Sequence, residues 1–430
     1  MDRLGGVSGP GRGTAWLARR LREREQRNVT FLSDDFPVFW DSASGAVVTD
    51  VDDNEYVDCT AAFGVANAGH CNERVVAALA KQAGRLVHGM GDVHPTQIRV
   101  ELYERLAGVL PPPLSATFLS STGSEAVEAA LKTAILRTGK FRFATYRGAY
   151  HGLSFGALSV GGIERFRQPF APALGPSPLL LEYPRAGGEL SAAQAAENVA
   201  EALADAPDIG ALIVEPVQGR AGCIVPPAGY LAALRAVCDD RSVVMIVDEI
   251  FTGFGRTGTW FAIERENVVP DILCIGKALG SGVPIAATVG RQEIMDAWPP
   301  STGEALHTST YLGNPLACAA AIATIDEIAR LDLPSRAWRL GEAFAQPFQA
   351  LARRRDVVEV RQAGFFWGVQ LRDAAVAARV VRAALREGVI FLQSGIEGDT
   401  IAVSPPLVIE EALLARAVEV LDFALKQAQR

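Results

Sequence analysis

Two short apolar runs, each ending in charge, constrain this chain more than anything else in it. The first, Val243-Val244-Met245-Ile246-Val247, ends in Asp248-Glu249. The second, Ile272-Leu273-Cys274-Ile275, ends in Gly276-Lys277 and a glycine-rich loop. Runs this short, rich in β-branched residues and apolar on both faces, predict strands buried inside a parallel sheet. Open sheets of that kind bind ligands at the carboxyl ends of their strands, where the carboxylates and the lysine fall. An ammonium ion in apolar surroundings is costly. Desolvation lowers its pKa and leaves a nucleophilic amine suited to a Schiff base.

The residues around these runs leave three readings open. An Asp and a Lys presented from two strands suit pyridoxal phosphate: the Asp would keep the pyridine nitrogen protonated and the Lys would carry the aldehyde. Gly253, Gly255 and Gly258 also spell G-x-G-x-x-G after a strand, the pattern of a dinucleotide site, but no long helical pattern follows Gly258. In the third reading, Asp248 and Lys277 are unrelated surface residues.

A chain of 430 residues can bury a large core and divide into at least two lobes. Its net charge of −8 argues against nucleic acid and anionic membranes as partners. Its six cysteines form no C-x-x-C pair, so they read as thiols of a reducing, cytoplasmic setting. The histidines have no metal-ligand spacing. No stretch is apolar for long enough to cross a bilayer, and the N-terminus shows no secretory h-region.

Taken in order, residues 1–29 read as an arm and a helix: a Gly- and Arg-rich, mobile lead to residue 13, then a helix capped by Thr14. Val38–Trp40, Val47–Thr49 and Tyr56-Val57 predict a small antiparallel meander, with Asp41–Gly45 and Asp52–Asn54 as its turns. These strands, residues 30–65, are assigned to a small domain. Residues 66–330 alternate strand and helix and predict a large α/β domain, a mainly parallel sheet with helices on both faces. Within it Ala116–Ser120 is a strand, Ser121–Ser124 a hydroxyl-rich turn, and Glu125–Arg137 a helix. Such a turn is either an anion site made of free N–H groups or a plain N-cap. Tyr150-His151-Gly152 follows another strand, Phe141–Thr145. Pro172–Gly188 reads as a surface connection. Residues 331–430 predict a smaller α+β domain.

In this order the motifs resemble those of class III pyridoxal-phosphate aminotransferases, the ornithine/4-aminobutyrate type, with fold type I. The resemblance runs from about residue 30 to the end of the chain. Ser-Thr-Gly-Ser-Glu-Ala at 121–126 is similar to the family's phosphate loop, which implies that Gly123 and Ser124 hold the cofactor phosphate. Tyr150-His151-Gly152 resembles the ring-stacking loop, Glu215–Gly219 the E-P-x-Q-G turn, and Asp248–Gly258 the D-E-x-x-T-G-F-G-R-T-G run. Lys277 falls at the Schiff-base position. Tyr150 and Ile250 are implied to sandwich the ring. Thr310 is implied to reach the cofactor of a partner subunit, making a homodimer with shared sites. The implied reaction moves an amino group between small-molecule amine and carbonyl substrates. An aminomutase, racemase or epimerase of the same fold would use the same apparatus. A rival of another class is a cofactor-free dimer acting as a scaffold.

Four positions depart from the family's pattern. Phe251 stands where a Gln often contacts the cofactor's phenolic oxygen. Leu153 stands where glutamate users often have Arg. Arg220 replaces a Glu after E-P-x-Q-G, and Ala402 replaces that Glu's Arg partner before Pro405-Pro406. These changes put glutamate and 2-oxoglutarate recognition in doubt and make the four residues candidates for contact with a different substrate.

Overall fold

The computed structural model of the chain describes Val7 and residues 9–31 and 37–428. Most of the lead 1–13 therefore lies outside the described residues, and Arg12 already begins a helix, Arg12–Arg24. Thr14 does not cap it. The free N–H groups of Gly11, Gly13 and Thr14 are instead taken at 2.9–3.0 Å by the carboxylate of Asp52, a stronger acceptor than a hydroxyl.

Three strands follow, β1 (Trp40–Ser44), β2 (Val47–Asp50) and β3 (Glu55–Asp58), paired antiparallel. The meander was expected, but its first strand lies later than expected. Asp41–Ser44 is strand rather than turn, because Gly45, at φ +59°, lets the chain reverse within two residues between Ser44 and Val47.

The central sheet comprises β4 (Leu114–Ser120), β5 (Arg142–Tyr146), β6 (Leu179–Leu181), β7 (Ile209–Val214), β8 (Val244–Asp248), β9 (Ile272–Ile275) and β10 (Ala286–Arg291). Their spatial order is β4-β10-β9-β8-β7-β5-β6. The five strands from β9 to β6 are parallel, and β10 runs antiparallel to both its neighbours. Every residue of β7, β8 and β9 is buried, as strands covered by helices on both faces require. The segment expected to be a bare connection, Pro172–Gly188, contains β6. Its three leucines pair with Ala144–Tyr146 at the sheet edge.

The chain then adds β11 (Val357–Gln362), β12 (Trp367–Leu371), β13 (Val389–Ile390), β14 (Leu392–Ser394) and β15 (Thr400–Val403). Four of these form an antiparallel sheet in the order β11-β12-β15-β14. The two residues of β13 instead pair with β3, tying the start of the chain to its end. We propose domain limits at 65/66 and 330/331, which set the central sheet apart from the strands before and after it.

One buried cation joins these parts. Arg256 follows β8 and is fully enclosed. Its guanidinium donates to the carbonyls of Phe365 at 3.1 Å and Pro405 at 2.7 Å and to the amide oxygen of Asn67 at 2.6 Å. Burial pushes its pKa down to about 9 despite the charge of Asp58. Arg256→Met would strand three buried acceptors, at an expected loss of about 3 kcal/mol. Urea unfolding would measure it; a loss under ~1 kcal/mol would show that those carbonyls find water.

Candidate active site

The carboxyl ends of five strands of the central sheet converge on one cavity of about 640 Å³. From the sheet edge come Gly123, Ser124, Tyr150, His151, Glu215, Asp248, Ile250 and Lys277. Leu153, Arg220, Phe251 and Ala402 line the same cavity. Of the residues singled out in the sequence, only Thr310 is not brought there: it is exposed and lies outside its own chain's cavity.

Asp248 ends β8 with its side chain only 4% exposed. One carboxylate oxygen accepts the Ile250 N–H at 3.0 Å, and the other lies 2.7 Å from Nδ1 of His151. Burial draws the imidazole pKa down, but the hydrogen bond and charge of Asp248, helped by the charge of Glu215, leave it raised. The far nitrogen of His151, Nε2, is buried and has no partner among the described residues. His151 therefore fixes the position of the Asp248 carboxylate.

Lys277 adopts φ +45°, a left-handed conformation that side chains rarely take. Its Nζ lies 4.9 Å from the centre of the Phe251 ring. Burial lowers its pKa, while the charges of Asp248 and Glu215 oppose the shift. The result is an amine whose charged form burial disfavours, beside two acids. Glu215, at the end of β7, accepts from the N–H of Tyr150 at 2.9 Å and of Gly219 at 3.2 Å, linking the two loops. Burial pushes its pKa up to about 7, the charge of His151 acting against the shift.

The turn after β4 is a cap that leaves N–H groups unspent, as an anion cradle requires. Thr122 accepts from the Glu125 N–H, and Glu125 accepts from the N–H groups of Ser121 and Thr122. That leaves the first two N–H groups of the Gly123–Thr138 helix, those of Gly123 and Ser124, without an intrahelical partner at its positive end. A side chain at 123 would stand 2.8 Å from Ile250 Cδ1, and one at Gly152 would collide with Ser124 Oγ. The glycines keep the cradle close to the loops around it. An anion cradle, a buried carboxylate and a depressed amine in one cavity fit pyridoxal phosphate, which presents a phosphate, a basic ring nitrogen and an aldehyde. The G-x-G-x-x-G reading does not survive. Gly253, Gly255 and Gly258 lie in a turn that packs against Phe261, Leu407 and Trp338, and a short 3-10 segment follows it.

Sequence reasoning missed part of the cavity wall. Phe63, 66% exposed, projects from a turn in which Ala61, Ala62, Phe63 and Gly64 all have positive φ. Phe366, Leu392, Ser394 and Ser404 arrive from the C-terminal sheet and the turn that follows it. Only Gly64 signalled the turn, and nothing local signals the others.

A sequence profile of the aminotransferase class-III family matches residues 31–425. Solved structures agree. An amine transaminase from an uncultivated Pseudomonas species, in its PLP-bound form, is 31% identical over 94% of this chain and 98% of its own, with a TM-score of 0.86. A transaminase from the marine bacterium Virgibacillus is 27% identical over 96% and 99%, with a TM-score of 0.89. Ornithine aminotransferase from Toxoplasma gondii is 29% identical over 96% of each chain, with a TM-score of 0.85. The chain belongs to the class III aminotransferases. It is a fold type I enzyme that uses pyridoxal phosphate to transfer amino groups, and a reaction returning the amino group to the same molecule is not favoured.

The carboxylate next to Asp248 supplies a test of the electrostatics. Glu249 points into the core, accepting from the Ile263 N–H at 2.8 Å and from the Thr252 hydroxyl. Burial pushes its pKa up to about 7 against the pull of those hydrogen bonds. The folded chain thus holds a proton there that the unfolded chain releases above the ordinary value of 4.5. Its contribution to stability must fall as pH rises from about 4.5 to about 7. Glu249→Gln, which cannot ionise, should gain thermal stability relative to the parent on going from pH ~5 to ~8. A constant difference between the two melting temperatures would place the titration elsewhere.

Proposed function

We propose that Lys277 is the covalent attachment point of the cofactor and the base that moves the proton, and that Asp248 pairs with the ring nitrogen. The observation that carries this reading is the meeting of a depressed amine and a buried, imidazole-held carboxylate in one cavity. When bound, pyridoxal phosphate supplies an electron sink that weakens the bonds to the substrate carbon. The chain does the rest. Gly123 and Ser124 hold the phosphate with unspent N–H groups. Tyr150 and Ile250 confine the ring. His151 keeps Asp248 oriented. Lys277, when free of the cofactor, would take the proton from the substrate carbon and hold it on Nζ for return. Its left-handed backbone aims the short reach of Nζ, and the Phe251 ring offers the ammonium form a face to rest on.

The working unit in this reading is a homodimer in the cytoplasm. Thr310 supports the dimer: it is exposed, outside its own cavity, and free to serve a neighbour's phosphate. The six free thiols, five of them buried, support a reducing compartment.

The decisive experiment mixes purified holoenzyme with a panel of amines and follows the cofactor's absorption band as it takes up the amino group. Lys277→Ala should lose both the borohydride-fixable link to the protein and nearly all turnover. A reduced adduct on another lysine would remove Lys277 from the role. Asp248→Asn should keep the cofactor bound and cut turnover by about a hundredfold or more, since an amide cannot hold the ring nitrogen protonated. Near-normal turnover would exclude that function for Asp248.

A further inference from the structure

Lys277 has an unusual companion for an amine among acids. Among the described residues its Nζ makes no hydrogen bond and no ion pair. An ammonium group has three donors, yet the group it lies over is the Phe251 ring, 4.9 Å from the ring centre. Phe251 carries no donor or acceptor in its side chain. Its ring face is electron-rich, however, and attracts a cation within about 6 Å, most strongly where water is excluded.

The ring is held in a slot. A side-chain carbon at Gly64 would stand 3.0 Å from Cε2 of the ring, and one at Gly219 would stand 3.1 Å from Cδ1. Both are closer than carbon atoms comfortably approach, so a larger residue at either position would press on the ring. Gly64, at φ +78°, has a backbone reason to be glycine as well. Gly219 lies outside the left-handed region, and what a larger residue there would meet first is the ring. Phe366 closes a further side, its ring centre 5.0 Å from that of Phe251 and its plane tilted by 62°. Three separate stretches of chain thus hold one ring in place beside Nζ.

The other groups around Nζ are already engaged. Asp248 and Glu215 face it with their charges. Asp248 is bonded to His151 and to the Ile250 N–H, and Glu215 to the N–H groups of Tyr150 and Gly219. His151, Tyr150 and Arg220 are the remaining titratable groups that line the cavity. A base that only takes a proton needs nothing to steady the resulting cation. A base that must also return the proton needs a neighbour that holds the cation without taking the proton itself, and an aromatic ring is such a neighbour.

We propose that Phe251 is a positioning residue for amino transfer: wedged between Gly64 and Gly219, its ring holds the free Nζ of Lys277 over its face and steadies the proton there between removal and return. The proton passes from the substrate carbon to Nζ and later leaves Nζ; the ring gains and loses nothing. This rests on the reading of Lys277 as the attachment point and base.

Two measurements read this proton. The first adds pyridoxal phosphate to the cofactor-free full chain and follows, against pH, the rate at which the absorption band of the linked cofactor appears. Linkage needs the neutral amine, so the midpoint of that profile reports on Nζ with no substrate present. The second is the pH dependence of kcat for the holoenzyme with a saturating amine, where the base must again be neutral. Removing the ring removes a stabiliser of the ammonium form. In Phe251→Leu both midpoints should therefore move to lower pH, by about half to one pH unit. Phe251→Tyr, which keeps an aromatic face, should keep the parent midpoints. Slower rates at every pH in Phe251→Leu, with the midpoints unmoved, would show that the ring only fills space and would overturn the proposal. A shift in Phe251→Tyr as large as that in Phe251→Leu would overturn it too. If Lys277→Ala forms the band with the parent's profile, the assignment of Lys277 itself fails. Loss of the band in Lys277→Ala, with no shift in Phe251→Leu, would remove the role of Phe251 alone.

Discussion

Charge buried at the end of β8 is the constraint on which the rest of this structure depends. Asp248, Glu249 and Arg256 lie within one short stretch of chain, and each is enclosed. A buried charge is tolerated only when its donors or acceptors are met. The three meet that condition with partners from three different places. Asp248 draws on the loop after β5 through His151, Glu249 on the 3-10 segment through Ile263, and Arg256 on the carbonyls of Phe365 and Pro405. Satisfying all three fixes the turn between them and, with it, the position of every loop at this edge of the sheet.

The fates of the two adjacent carboxylates follow from this arrangement. Consecutive side chains at a strand end point to opposite faces. Asp248 therefore faces the cavity and Glu249 the core beneath it. Their surroundings then separate their chemistry. Asp248 has an imidazole neighbour in His151, whereas Glu249 has only a hydroxyl and an N–H, and burial raises its pKa to about 7. Two identical functional groups, one residue apart, become one carboxyl facing the cavity and one acid buried in the core.

Much of the cofactor apparatus was legible because it is local. The strands ending in Asp248 and Lys277, the capping turn at 121–125 and the helix after it announce themselves by apolar runs, hydroxyls and glycines over a few residues. What escaped was set by distant partners. The Arg12–Arg24 helix takes its cap from Asp52, so no local pattern could place Thr14 correctly. The leucines of β6 form a strand only because Ala144–Tyr146 offers them an edge. The positive-φ turn carrying Phe63 is stabilised by Asp58, which accepts from Thr60 and from the Ala62 N–H at 3.2 Å. Alanine and phenylalanine give no hint of that conformation.

The same division separates the two sides of the cavity. Gly123, Tyr150, Glu215, Asp248 and Lys277 all lie at the edge of a single sheet, where hydrogen bonds between neighbouring strands fix their spacing. The opposite wall is assembled from Phe63, Arg220, Phe366, Leu392 and Ala402, which three separate regions of the chain supply. Those regions are joined to the loops of the sheet edge by contacts between distant segments, among them Arg256 to Phe365 and Pro405, Arg361 to Gly222, and Ser394 to Gly219 and Arg220. A substitution in the wall alters what fits without disturbing the cradle. A small shift of the C-terminal sheet would move several wall residues at once. Substrate preference in such a molecule can therefore change faster than its chemistry, and two of the four departures, Arg220 and Ala402, fall in that wall.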